Sequence, residues 1–186
     1  MNAIGYAATG VLQYGLDQST FLAQRQNVRG MFVLAGYTHQ AVKAVHGIKG
    51  RYLMFEGFEP LRALSLDAEH KKARDYVRKI RNFTAFHLDE FDEHNTTRKT
   101  LAGLKSSSYN LMAGDDDTLG TYYFEFADYI DMQFLIKTFA DGRPDKETAK
   151  DIAGTILTFS NALLTAAHTF QHALWDKLNM KEHAYR

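Results

Sequence analysis

Apolar residues return at helical intervals along most of the chain. In the last third, Ile152, Ile156, Phe159, Leu163, Ala166, Phe170 and Leu174 follow one another at steps of three or four, the period that gathers side chains on one face of an α-helix. Asp145 opens this segment after the breaker Asp141-Gly142-Arg143-Pro144. At about 1.5 Å per residue it predicts a rod roughly 45 Å long, a spine on which other helices pack. A second long helix is predicted from the cap Ser19 through Phe21, Val28, Phe32, Ala35, Val42 and Val45, up to a breaker at Gly47 to Gly50. A third starts after Asp67, where Ala73, Val77, Ile80 and Thr84 form a core-facing stripe.

The remaining segments carry weaker patterns. Residues 3 to 17 place Ile4, Ala8, Val11 and Leu12 on a helical face, against the cost of Gly5, Gly10 and Gly15, about 1 kcal/mol each relative to Ala. Arg51 to Leu66 mixes aromatics with Gly57 and Pro60 and reads as a packed connector with one short helical turn. Asn95 or Thr96 could start a helix through Leu104, and Ser106-Ser107-Ser108 with Gly114-Asp115-Asp116-Asp117 reads as a mobile loop. Residues 119 to 139 alternate briefly at Tyr122 to Phe126 as a strand would, but Phe126, Ile130, Phe134 and Ile136 favour a helix.

Composition sharpens this picture. Only Pro60 and Pro144 interrupt 186 residues, which leaves long unbroken stretches and favours helices over a turn-rich β fold. A chain of this length can bury roughly 70% of its unfolded surface. The expectation is an all-α antiparallel bundle of five to six helices forming a single domain over 1–186. The absence of cysteine excludes disulfides, thiolate metal sites and thiol nucleophiles. No run approaches the ~20 apolar residues that span a bilayer, and Met1-Asn2-Ala3-Ile4-Gly5 lacks the pattern of a secretory signal, so a cytoplasmic location without a membrane partner is expected. Lys plus Arg and Asp plus Glu balance at 22 each, so any nucleic-acid binding has to use a local patch.

One such patch lies on the third predicted helix. Lys71, Arg74, Arg78 and Arg81 fall at spacings of three, four and three, a basic stripe beside the apolar face. At its end stand Arg81-Asn82, Phe83-Thr84-Ala85-Phe86 and His87. This string resembles the Arg-polar-x(4 to 6)-His signature of the HEPN superfamily of helical bundles. Ile80-Arg81-Asn82-x-x-Ala85-Phe86-His87, the acidic residues after it and the later Tyr122-Tyr123 are similar to an uncharacterised bacterial branch, densest over 67 to 135. The resemblance implies a metal-independent endoribonuclease or RNA-binding protein of a toxin, defence or RNA-processing type, without a cofactor. It also implies a homodimer, with Arg81 and His87 of two copies meeting across the interface. In that setting an imidazole can take or give the proton that cleavage through a 2′-hydroxyl requires. The Arg81 guanidinium would stabilise the charge developing on phosphorus, Asn82 would position its neighbours, and Lys71, Arg74 and Arg78 would follow the RNA backbone.

Plainer readings stand beside this one. His87 falls on the apolar stripe and fits a buried, hydrogen-bonded imidazole, and the basic stripe fits a solvated helix face. His168 and His172, four apart, share a polar seam with Thr158, Asn161 and Thr165 that could line a pocket, although without the accompanying glutamate of a zinc motif they read as surface or interface residues. His39 and His46, seven apart beside Val42, read as helix packing. Asp89, Glu90, Asp92 and Glu93 read as a solvated acidic turn rather than a metal cluster. The competing function is a catalytically silent helical domain that associates with itself or with a cognate protein; a small-molecule bundle using the polar seam is a third.

Overall fold

The computed structural model describes residues 2–15, 21–82, 111–112, 123–124 and 136–178, with side chains at 2–11, 29–82 and 136–178. The chain is all-α. Its described helices are α1 Asn2–Gly15, α2 Phe21–Tyr52, α3 Glu59–Leu66, α4 Lys71–Ile80 and α5 Asp145–Lys177, with 3-10 turns at Glu56–Phe58 and Ala68–His70. Two compact units are distinguished, Met1–Phe86 with Ala153–Arg186, and His87–Ile152.

In the first unit α1 lies along α2. Ile4, Ala7, Ala8 and Val11 are buried on one side of α1, and Gly30 of α2 lets the backbones approach: a Cβ there would sit 2.9 Å from Val11 Cγ2. The apolar repeat of α2 buries Leu34, Ala35, Val42 and Val45. Helix α2 runs past Gly47 and Gly50, where the sequence pattern had placed its end, and stops at Tyr52. Both glycines are exposed, so each costs only helix propensity. Two features hold the extra turn: Lys49 and Arg51 lie at the negative end of the helix dipole, and the Tyr52 ring meets the Phe170 ring edge-on at 5.1 Å.

The connector is more helical than its composition predicts. Pro60 sits in the first turn of α3, where its missing N–H costs nothing, and Phe58, Leu61 and Leu64 are buried. Rings of Phe55 and Phe58 lie 5.9 and 5.4 Å from Phe170. Gly57 is required here, because a Cβ would stand 2.5 Å from Ala173 Cβ. Asp67 does not cap α4 with its side chain; it ends α3, and a 3-10 turn precedes α4. Its carboxylate instead accepts from Arg62 at 3.4 Å. On α5, Ile156, Phe159, Leu163 and Ala166 are buried as the repeat requires. Ser160 Oγ and Thr38 Oγ1, 2.8 Å apart and fully enclosed, link α5 to α2.

In the second unit Leu111–Met112 and Tyr123–Phe124 form a two-residue antiparallel ladder. At 123–124 the local alternation therefore prevails over the helical interval. Residues 136–139 are helical. The chain then turns through Asp141 (φ 47°) and Gly142 (φ 78°), left-handed backbone that Asp tolerates and Gly adopts freely. Arg143 closes the turn by donating to the carbonyls of Phe139 and Ala140 and to Asp151 Oδ2 at 3.0 Å. The sequence expectations for residues 83 to 110 and 113 to 122 lie outside the described residues, as does most of the helix expected over 119 to 139. Among the described residues no helix is long and apolar enough to cross a membrane.

Candidate functional site

Helix α4 is sharply two-sided. Ala73, Tyr76, Val77 and Ile80 are buried, and the charged groups occupy the rest of the circumference. Beyond Ile80 the backbone widens into a π-type turn at 81–82, a distortion often found where side chains are re-aimed for function. Arg81 and Asn82 are half-buried there, and Arg81 Nη1 donates to Asn82 Oδ1 at 3.1 Å. His87, the remaining residue of the Arg-Asn-His string, lies outside the described residues.

The basic stripe divides into different roles. Arg74 donates from Nη1 to the Leu64 carbonyl at 2.9 Å and from Nη2 to that of Leu66 at 3.3 Å, so it closes the carbonyl end of α3. Arg78 pairs with Asp75 at 2.8 Å on the exposed side. Lys71 is exposed.

Helix α2 contributes what the sequence string does not contain. His39 is only 9% exposed, and its pKa is lowered to about 4. Burial is the main cause, followed by the charges of Lys43, Arg81, Arg78 and His46. The imidazole is thus neutral at physiological pH and stands within electrostatic reach of cations from α2 and α4. His46 Nε2 lies 2.9 Å from the carbonyl oxygen of Ser65. The sequence reading assigns both histidines to helix packing; His39 is buried whereas His46 is exposed, and the reading misses that His39 lies within the electrostatic reach of Arg81. The available signal was its position between Ala35 and Val42 on the buried face of α2; the pairing of α2 with α4 is a tertiary fact that spacing does not encode.

His168 and His172 are exposed, and so are Thr158, Asn161 and Thr165. The seam faces outward rather than lining a pocket. Among the described residues no group of three or more His, Asp or Glu side chains is placed to hold a metal ion. The acidic residues 89, 90, 92 and 93 lie outside them.

The half-buried Arg81-Asn82 pair, with Lys43 and Arg78 acting on the same histidine as Arg81, suits an oxyanion, and a guanidinium fork is shaped for phosphate. A neutral imidazole beside them can donate or accept a hydrogen bond without adding charge. Comparison with protein-family models, curated proteins and solved structures finds no match.

Proposed function

We propose that this chain is an HEPN-like RNA-binding protein that cleaves RNA without a metal, using Arg81 and His87 of two copies. The supporting observation is that Arg81, donating to Asn82 in a widened helical turn, joins Lys43 and Arg78 in the positive field that keeps the buried His39 uncharged. In the proposed reaction one His87 imidazole takes the proton of a 2′-hydroxyl, whose oxygen attacks the adjacent phosphorus. The bond to the 5′-oxygen breaks, that oxygen takes a proton from the His87 of the second copy, and a 2′,3′-cyclic phosphate remains. Arg81 stabilises the pentacoordinate phosphorane. Lys43 and the exposed Lys71 and Arg78 meet backbone phosphates.

Single-stranded RNA incubated with the purified protein in chelator tests this reading. His87→Ala is expected to lower the cleavage rate by about a hundredfold or more, and Arg81→Ala by a comparable factor. Cleavage unaffected by either change would rule out this site.

A second reading, a catalytically silent association module, draws on large apolar side chains left in solvent: Met54 at 96%, Leu178 at 64% and Leu53 at 58% exposure. Sedimentation velocity separates the two. If association is the whole function, Met54→Glu weakens the oligomer and the chelator-treated protein leaves RNA intact.

A further inference from the structure

His168 and His172 occupy successive turns of α5, and both are exposed. Their ring centroids are 6.5 Å apart with the planes inclined by 35°. They belong to one exposed line that runs Gly154, Thr158, Asn161, Thr165, His168, His172 and Asp176. No lysine or arginine interrupts that line. Lys177, the nearest cation along the helix, reaches away to the Phe55 ring, with Nζ 5.0 Å from its centroid. Asp176, one turn beyond His172, adds a negative charge instead. The other flank of His172 is set by Trp175, whose ring stands edge-on to it at 5.3 Å.

We propose that His168 and His172 form a two-imidazole site for a late first-row divalent cation, taking Cu(II) most strongly. Imidazole nitrogens bind such ions at about 2.0 to 2.1 Å, so two rings sharing one ion in adjacent positions have centroids about 5 Å apart. From 6.5 Å the rings close by about 1.5 Å, a rotation within reach of exposed side chains moving between staggered wells. The helix supplies the spacing before the ion arrives, so the second nitrogen binds intramolecularly and the pair outperforms either ring alone. Water fills the remaining coordination positions. Preference for Cu(II) over Zn(II) and Ni(II) follows from the general order of divalent affinities for nitrogen ligands, and Mg(II), an oxygen-seeking ion, is refused. Asp176 favours the site through its field.

Trp175 is the only tryptophan in the chain and reports on the site directly. Titrating the full chain with Cu(II) should quench its fluorescence to a plateau at one ion per chain, while Mg(II) leaves the signal unchanged. His168→Ala, which leaves the His172–Trp175 contact intact, should raise the Cu(II) concentration needed by about a hundredfold, and His168→Ala/His172→Ala should abolish saturable quenching. Both side chains are exposed, so the variants should melt as the parent does. Electron paramagnetic resonance of the copper form should show coupling to two imidazole nitrogens. Quenching with an unchanged midpoint in the double variant, or no saturable quenching in the parent chain, would overturn the assignment.

Discussion

Burial and the positive charges of Lys43, Arg81 and Arg78 hold His39 uncharged, and proton linkage turns that into a pH dependence. In the unfolded chain the imidazole titrates near 6.5, whereas in the folded protein it titrates near 4. Below 6.5 the unfolded state therefore binds more protons than the folded one, and stability falls as pH drops from 6.5 to about 4. The full effect approaches about 3 kcal/mol. Urea melts across that window should show a declining midpoint in the parent, and His39→Gln should flatten the decline. A slope unchanged in the variant would mean that other groups cause it. The hydroxyl pair Thr38–Ser160 poses a different residue-scale question, because it is fully buried. Thr38→Val strands the serine hydroxyl and should cost about 1 to 3 kcal/mol. Thr38→Val/Ser160→Ala should recover part of that loss, and a double variant no more stable than Thr38→Val would show that the stranded hydroxyl is not the cause.

At the scale of elements, the long periodic segments are legible and the breakers mislead. The repeat from Ile152 to Leu174 places α5 correctly, since seven apolar positions on one face leave little freedom. Gly47 and Gly50 look like a stop but are merely weak positions in α2. Nothing lies within 4 Å of a Cβ built at Gly47. Gly47→Ala should therefore raise stability by up to about 1 kcal/mol in a thermal melt. Gly57 should behave in the opposite way. Its missing side chain admits Ala173 and Phe55, and Gly57→Ala should cost on the order of 1 to 3 kcal/mol by forcing the connector off α5. A sequence reader meeting Gly57 and Pro60 sees an irregular connector, because the aromatic packing that makes α3 worthwhile comes from Phe170, more than a hundred positions later. The same holds for the candidate site: Arg81-Asn82 is visible as a string, whereas the influence of the Arg81 charge on His39 depends on two helices meeting. Arg74 also looks like one more member of a basic stripe until α3 is present for it to cap.

Over the whole molecule, formal charges cancel and the isoelectric point lies near 7.1. With no net field to keep molecules apart, self-association should be strongest near that pH. Static light scattering should show the second virial coefficient passing through a minimum around neutrality and rising on either side. The proposed RNA binding through Lys43, Lys71 and Arg78 should weaken steeply with salt even though the chain as a whole is neutral.

The enclosed contact between Thr38 and Ser160 joins positions 122 apart in the chain. Such a latch cannot engage until α2 and α5 are already aligned, so it belongs to the closing moments of assembly rather than to the nucleus. Weakening it should quicken the rate at which the native protein comes apart while leaving the refolding rate nearly untouched.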